Sequence, residues 1–421
     1  MNAIRLAMLG IALIGGLAHF FVSVPIFETG PDALNQIVGA INISEGRGYT
    51  LENGESVRYW PPLYAIYASA FLFFNNSFAS LAIANSLLIA ATSLTWSIFI
   101  IGASDRLYDS LRSGAKNSKL INIFLISSAT LVIVHVLRNP SSDATFSLIF
   151  PLYLLTVIKL SIEKWTKSNA AFYATASIAL VNSHNMGAIL FVAVSFTYFI
   201  LFTFKKDPSK VFTLLFVGIF ASSTWLAVRK LFDLGGSHEF EGLFGADRPI
   251  RSAAFDLIHG PSDLLFFFWP IGASIAFLVA ISFAIYVRNL KIAQRDAILA
   301  LLGAVIVFDT LLFLMFTSIT IHSGIGGRFA LVQTLLILMF AAIVARSLTP
   351  KFYVLAIVIS ALPIASSGAR IGKWYKEYHV DQVYQWNRSI SRSENKLDAD
   401  TLEQLRDSKC PDSFCFVRDR I

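Results

Sequence analysis

Long apolar runs alternate along this chain with short polar stretches, and the length of each run decides what it predicts. Residues 4–27 form the first run; it carries only Arg5 at its start, lacks a small-x-small cleavage signal and is longer than a secretory h-region, so an uncleaved first helix is expected. Residues 62–74 are apolar but too short for a hydrocarbon core that needs roughly 20 residues, and they predict a juxtamembrane helix ended by Asn75 and Asn76. Further spans are expected at 78–103, 120–137, 144–160, 169–183, 186–204, 211–232, 264–287, 297–321, 329–345 and 352–367. With residues 62–74 on the surface, the clusters around Arg106, Arg112, Lys116 and Lys119, Lys159 to Lys167, Lys205 to Lys210, Arg288 to Arg295 and Arg346 with Lys351 all fall on one side. The expected fold class is an all-α polytopic membrane protein of about 11 transmembrane helices, N-terminus in the cytoplasm. A transmembrane domain over 1–369, with its first periplasmic loop at 28–77, is followed by a polar periplasmic tail at 370–421. In that tail Val380, Val383, Tyr384 and Trp386 repeat at helical spacing.

Composition agrees with this reading. Of 421 residues 55% are hydrophobic and only 14% charged, so lipid is the main solvent. The net charge of +7 would otherwise suggest a nucleic-acid partner, but the basic residues sit in topogenic clusters, and no nucleic acid is expected. Cys410 and Cys415, the two cysteines, are too few for a metal cluster and compatible with one disulfide if the tail lies outside the cytoplasm. No internal repeat or low-complexity tract is visible.

The first polar loop is the most patterned. In GPDALNQIVGAINISEGRGYTLENGESVRYWPPLY, residues 30–64, Asp32 opens a helical pattern in which Ala33, Ile37, Ala40 and Ile41 recur, a short helix lying on the membrane surface. Gly46, Gly48, Asn53 and Gly54 break it, and Arg58, Tyr59 and Trp60 lead into Pro61 and Pro62, which fix an extended entry to the next element. An acid after the first span, an amphipathic helix, G-x-G-Y and W-P-P-L-Y together resemble the first periplasmic loop of GT-C glycosyltransferases, the integral-membrane enzymes that include protein O-mannosyltransferases and lipid A aminoarabinose transferases. The dense match covers residues 30–64.

The resemblance implies an inverting transfer of sugar from a polyprenyl-phosphate donor to a lipid, glycan or protein acceptor at the outer face of a bacterial inner membrane. Asp32 stands where the family keeps its catalytic acid and would be the general base; read without the family, it is a loop acid capping the helix that follows. Ala33 occupies the place of the family's frequent second acid. Asp143 is similar in position to the other family acid, which organises the site or a divalent cation, and read alone it caps the fourth span together with Ser141 and Ser142. Arg58, Tyr59 and Arg328 would hold the donor phosphate, because guanidinium offers a bidentate match to phosphate oxygens. Arg328 opens GGRFALVQTLLIL, which resembles a family segment, although Val332 and Gln333 stand where a proline is expected. His184, in ALVNSHNMGAIL, is similar to a family cation that touches the carrier phosphate; a lone interfacial His is also a common structural group. Arg138 reads as an interfacial residue reaching for headgroups.

Asp309 stands apart, a carboxyl near the middle of the ninth span, where ionisable groups are costly. A secondary transporter or flippase coupled through Asp309 is therefore a rival reading, weakened because Pro151, Pro270 and Pro363 fall near span ends without matching halves. A non-catalytic scaffold is the other. No G-x-x-x-x-G-K-[ST], H-E-x-x-H, C-x-x-C or G-x-S-x-G is present, so nucleotide hydrolysis, zinc proteolysis and serine hydrolysis have no handle.

The topology is checked with reporter fusions. Those after Lys119, Lys167, Lys206 and Lys291 should read as cytoplasmic and those after Gly54, Asp143 and Ser408 as periplasmic; a cytoplasmic C-terminus would overturn the register.

Overall fold

The structure is a computed structural model that describes residues 3–22, 31–51, 54, 56–57, 60–108, 118–137, 141–163, 166–232, 292–318, 331–347, 361 and 364–373. The eighth expected span, most of the eleventh, and Cys410 and Cys415 lie outside these residues. Among the described residues the elements are helical, with one isolated antiparallel bridge between Thr50 and Ser56. They are α1 (Ala3–Val22), α2 (Pro31–Ser44), α3 (Leu63–Phe74), α4 (Phe78–Tyr108), α5 (Ser118–Val136), α6 (Ser142–Ile162), α7 (Lys167–Ser183), α8 (Asn185–Phe204), α9 (Pro208–Leu231), α10 (Ile292–Ser318) and α11 (Leu331–Ser347). Among the described residues six helices, α1, α4, α5, α6, α8 and α9, are long and apolar enough to cross a membrane.

α4 is the central post, packed against α1, α5, α6, α11 and α3; α6 and α7 extend the bundle to α8, α9 and α10. In a bilayer, apolar burial gives little drive for helices to associate, so close approach matters more, and small residues permit it. A Cβ on Gly16 of α1 would stand 2.7 Å from the Ser86 carbonyl and 2.9 Å from the Ala90 side chain of α4, so these two helices meet backbone to backbone. α4 is 31 residues long, about 46 Å at 1.5 Å per residue, well beyond a hydrocarbon core of about 30 Å. Its extra turns pair with α3, where Tyr64 donates to Asn85 at 2.8 Å and Tyr67 to the Ala84 carbonyl at 2.7 Å. α3 is 12 residues long and stops at Asn75, as expected for a helix that does not cross.

Pro151 departs from expectation. It lies in the interior of α6, not near a span end. Lacking an N–H, it leaves the Ser147 carbonyl without its helical donor, and the indole of Trp96 on α4 donates to that oxygen at 3.0 Å. The kink-prone position is thereby satisfied from a neighbouring helix, as a membrane interior requires. The α2 stripe is also placed differently. Ile37 and Ala40 enter the protein core with Tyr49, Val57 and Tyr64, so this face packs on protein instead of lying on a lipid surface.

Two ends of the bundle are distinct. At one, His19 of α1 bridges the Ser86 hydroxyl (3.3 Å) and the Leu137 carbonyl (3.2 Å), Tyr49 meets Phe232 edge-on at 6.0 Å, and Arg370 reaches His135 at 3.2 Å. At the other, Arg106 pairs with Glu163 at 3.1 Å, Gln294 donates to the Arg106 carbonyl at 2.9 Å, and Lys205 pairs with Asp296 at 2.8 Å. The expected basic clusters at Arg106, Lys159 and Lys205 thus share one end, and the patterned loop occupies the other.

The Pro151 account is tested by substitution. Trp96→Phe should cost about 1–3 kcal/mol because a buried carbonyl loses its donor. Adding Pro151→Ala, which returns an N–H to the Ser147 carbonyl, should recover most of it in thermal unfolding of the detergent-solubilised protein; equal losses in single and double variants would refute the account.

Candidate functional site

The patterned loop is folded tightly onto itself. α2 ends at Ser44, and Gly46 and Gly48 take φ of 79° and 84°, left-handed values that let the chain reverse. Asn42 holds the returning strand, its amide donating to the Thr50 carbonyl at 2.7 Å and the Leu51 carbonyl at 3.3 Å. The Thr50–Ser56 bridge and the Val57 amide, which donates to the Tyr49 carbonyl at 3.2 Å, close a small hairpin whose tip uses Gly54 at φ 79°. Gly39 leaves room for the Tyr49 ring, since a Cβ there would lie 2.7 Å from Cδ2 of that ring. Burial pushes the Tyr49 hydroxyl above the usual phenol range, keeping it a donor, and it gives its proton to the Trp60 carbonyl at 3.2 Å. Trp60 is fixed in this way just before Pro61 and Pro62 start α3.

The Trp60 ring lies over His184, centroids 5.0 Å apart, and Phe146 approaches the same imidazole at 5.9 Å. His184 is the single residue between α7 and α8. The turn is this tight because Gly187 has no side chain: a Cβ there would run into the Leu180 carbonyl. His184 Nδ1 accepts from the Met186 amide at 2.9 Å, so in the neutral ring the proton sits on Nε2, which faces Asp143 Oδ1 at 3.4 Å. Ser141 donates to the other Asp143 oxygen at 3.0 Å. His184 and Asp143 are 3% and 6% exposed. Thr145 adds a longer contact, 3.4 Å, to the Ser183 carbonyl.

α2 is tied to the same junction. Gln36, 1% exposed, accepts from the Ser142 amide at 2.6 Å, and Ser142 is the first residue of α6. Ser141, the residue that caps α6, makes no side-chain cap bond, so Gln36 supplies from 106 residues away the acceptor that a helix N-terminus needs.

Among the candidate residues, Asp143 and His184 come together. Asp32 is the second residue of α2, one turn before Gln36. Arg58, Tyr59, Arg138 and Arg328 lie outside the described residues. Asp309 of α10 accepts a hydrogen bond from Gln333 of α11, so the glutamine found in place of a proline has a polar partner of its own. Gln36 and Trp60 were not singled out from sequence as site residues; a buried Gln on an apolar helix face was the available signal for the first. A hard divalent cation takes about six oxygen ligands. Both Asp143 oxygens face protein partners, and among the described residues no three His, Cys, Asp or Glu side chains are grouped to hold a metal. These side chains do not by themselves form a cation site.

The class defined here is an all-α membrane protein with a folded loop docked on one end of its bundle. No protein-family model matches the chain, and no curated protein matches it.

The α7–α8 turn gives a direct test. Gly187→Ala should destabilise the protein by about 1–3 kcal/mol through overpacking and should shift the emission of Trp60, read in a variant whose other tryptophans are replaced by Phe. An unshifted spectrum with unchanged melting would show that the tight turn does not set the Trp60–His184 contact.

Proposed function

We propose that the protein is a GT-C-type glycosyltransferase that moves a sugar from a polyprenyl phosphate to an acceptor hydroxyl at the outer face of a bacterial inner membrane. One observation supports this reading above the rest: the stretch that carries the family resemblance is seated, through Gln36 and Trp60, on the two other loops that carry candidate site residues, Asp143 and His184. Residues distant in sequence are gathered at one bundle end.

In the proposed reaction the Asp32 carboxylate takes the proton of the acceptor hydroxyl as its oxygen bonds to the anomeric carbon. The carbon–oxygen bond to the carrier breaks on the opposite face, and the electron pair leaves with the polyprenyl phosphate. Arg328 and Arg58, with Tyr59, balance the charge gathered on that phosphate, which is a good enough leaving group to need no strong acid. Asp143, engaged by Ser141 and His184, shapes the floor of the site. No step requires a metal.

A second reading draws on Asp309. An ionisable side chain in a helix of this kind, hydrogen-bonded to Gln333 of another helix, also suits a transporter or flippase in which that pair breaks and reforms.

Purified protein incubated with a panel of radiolabelled polyprenyl-phosphate sugars and membranes separates the two. The expected result is label transfer, lowered roughly a hundredfold or more in Asp32→Asn with donor affinity nearly unchanged. Arg328→Ala should weaken donor binding and turnover together, and Arg328→Lys should restore only part because the planar fork is lost. Transport of label without transfer, abolished in Asp309→Asn, would replace the transferase by the flippase.

A further inference from the structure

The contact between α2 and α6 carries more than its size suggests. Gln36 Oε1 accepts the first amide of α6 at 2.6 Å, and one residue further along that helix is Asp143, whose carboxylate is held by Ser141 at 3.0 Å and faces His184 at 3.4 Å. One turn earlier on α2 is Asp32. Ser141 spends its hydroxyl on Asp143 and makes no cap bond, so the Ser142 amide depends on Gln36. A buried N–H without an acceptor is costly, and α2 is therefore drawn to the start of α6 and held there.

We propose that Gln36 is a positioning residue of the reaction: by capping α6 across the bundle end, it fixes the place of the helix bearing Asp32 relative to the Asp143–His184 junction. This rests on the transferase reading. Gln36 touches no reacting atom in this role and acts through the placement of α2. Its length and neutral amide suit the task. The carbonyl reaches the amide without adding a second full negative charge near Asp143, and the burial of the residue lets it hold one geometry. A displacement of about 1 Å at a reacting group can cost on the order of a hundredfold in rate, so a tie that does nothing chemical still governs turnover.

The test compares Gln36→Met, which keeps the length and loses the acceptor, with Gln36→Glu, which keeps an acceptor oxygen. The assay is label transfer from the panel of radiolabelled polyprenyl-phosphate hexoses and pentoses, with kcat normalised to the number of donor-binding sites so that misfolded molecules do not count. Hydrogen exchange of the peptide containing residues 142–146 is followed in parallel. The expected result is a loss in kcat of about 10- to 100-fold for Gln36→Met with the donor KM changed by less than about threefold, faster exchange at the start of α6, and recovery of at least half the logarithmic loss in Gln36→Glu. Parental kcat in Gln36→Met, or a Gln36→Glu protein no better than Gln36→Met, overturns the proposal. Absence of transfer in the parental protein overturns the transferase reading and the catalytic role of the tie with it; exchange at 142–146 then reports separately whether Gln36 holds α2 to α6.

Discussion

A backbone amide that cannot reach water must find an acceptor in the protein, and at the first turn of α6 that requirement organises one end of the molecule. The local sequence offers Ser141, but its hydroxyl is directed at Asp143. The acceptor comes from α2, a helix whose apolar side is already committed to the core through Ile37 and Ala40. Once α2 is seated, its C-terminal turn and hairpin have little freedom: Asn42 holds Thr50 and Leu51, Tyr49 holds the Trp60 carbonyl, and Trp60 covers His184. A short chain of hydrogen bonds and ring contacts thus links the N-terminus of α6 to the turn between α7 and α8. The same demand recurs deeper in the bundle, where Trp96 answers the carbonyl that Pro151 leaves open.

Much of the helical frame was legible because lipid imposes a simple pattern. The runs expected at 120–137, 144–160, 186–204 and 211–232 correspond to α5, α6, α8 and α9 within a few residues, and Asn75 closes α3 where two amides interrupt an apolar run. A count of crossings is a different matter. α7 has 17 residues with Ser, Asn and Thr among them, and falls short of the length and hydropathy that identify a crossing by composition alone. Its place between α6 and α9, with Tyr173 stacked on Tyr153 at 5.9 Å, explains how so polar a helix is accommodated: protein, not lipid, covers much of it.

The site was legible only in pieces. Asp143 and His184 each stood out as polar residues between apolar runs, but nothing in their spacing says that one faces the other, because that contact depends on the tight turn allowed by Gly187. Gln36 could be seen as a polar residue on a helix, without any indication that its partner lay at Ser142. Pro151 was misplaced for a related reason. Run lengths locate the middle of a helix well only when both ends are firm, and the polar start of α6 at Ser142 and Asp143 is itself helical, which moves the proline inward. Local patterns mark elements; partners that complete a buried hydrogen bond come from the fold.

The environments of the two candidate acids bear on how a reaction here would divide its work. A general base needs an oxygen that can approach a substrate hydroxyl within hydrogen-bond reach and accept its proton. Asp143 is poorly suited: Ser141 occupies one oxygen, His184 Nε2 faces the other, and Trp60 and Phe146 flank the imidazole that would have to move aside. Moving it would also break the bond from the Met186 amide to Nδ1 and expose another unsatisfied helix donor. A carboxylate so engaged is better fitted to hold the junction rigid than to shuttle protons. In the proposed enzyme the chemical role consequently passes to Asp32, and rigidity at Asp143 becomes useful in its own right, because a base carried on a separate helix can be aligned only against something that does not move.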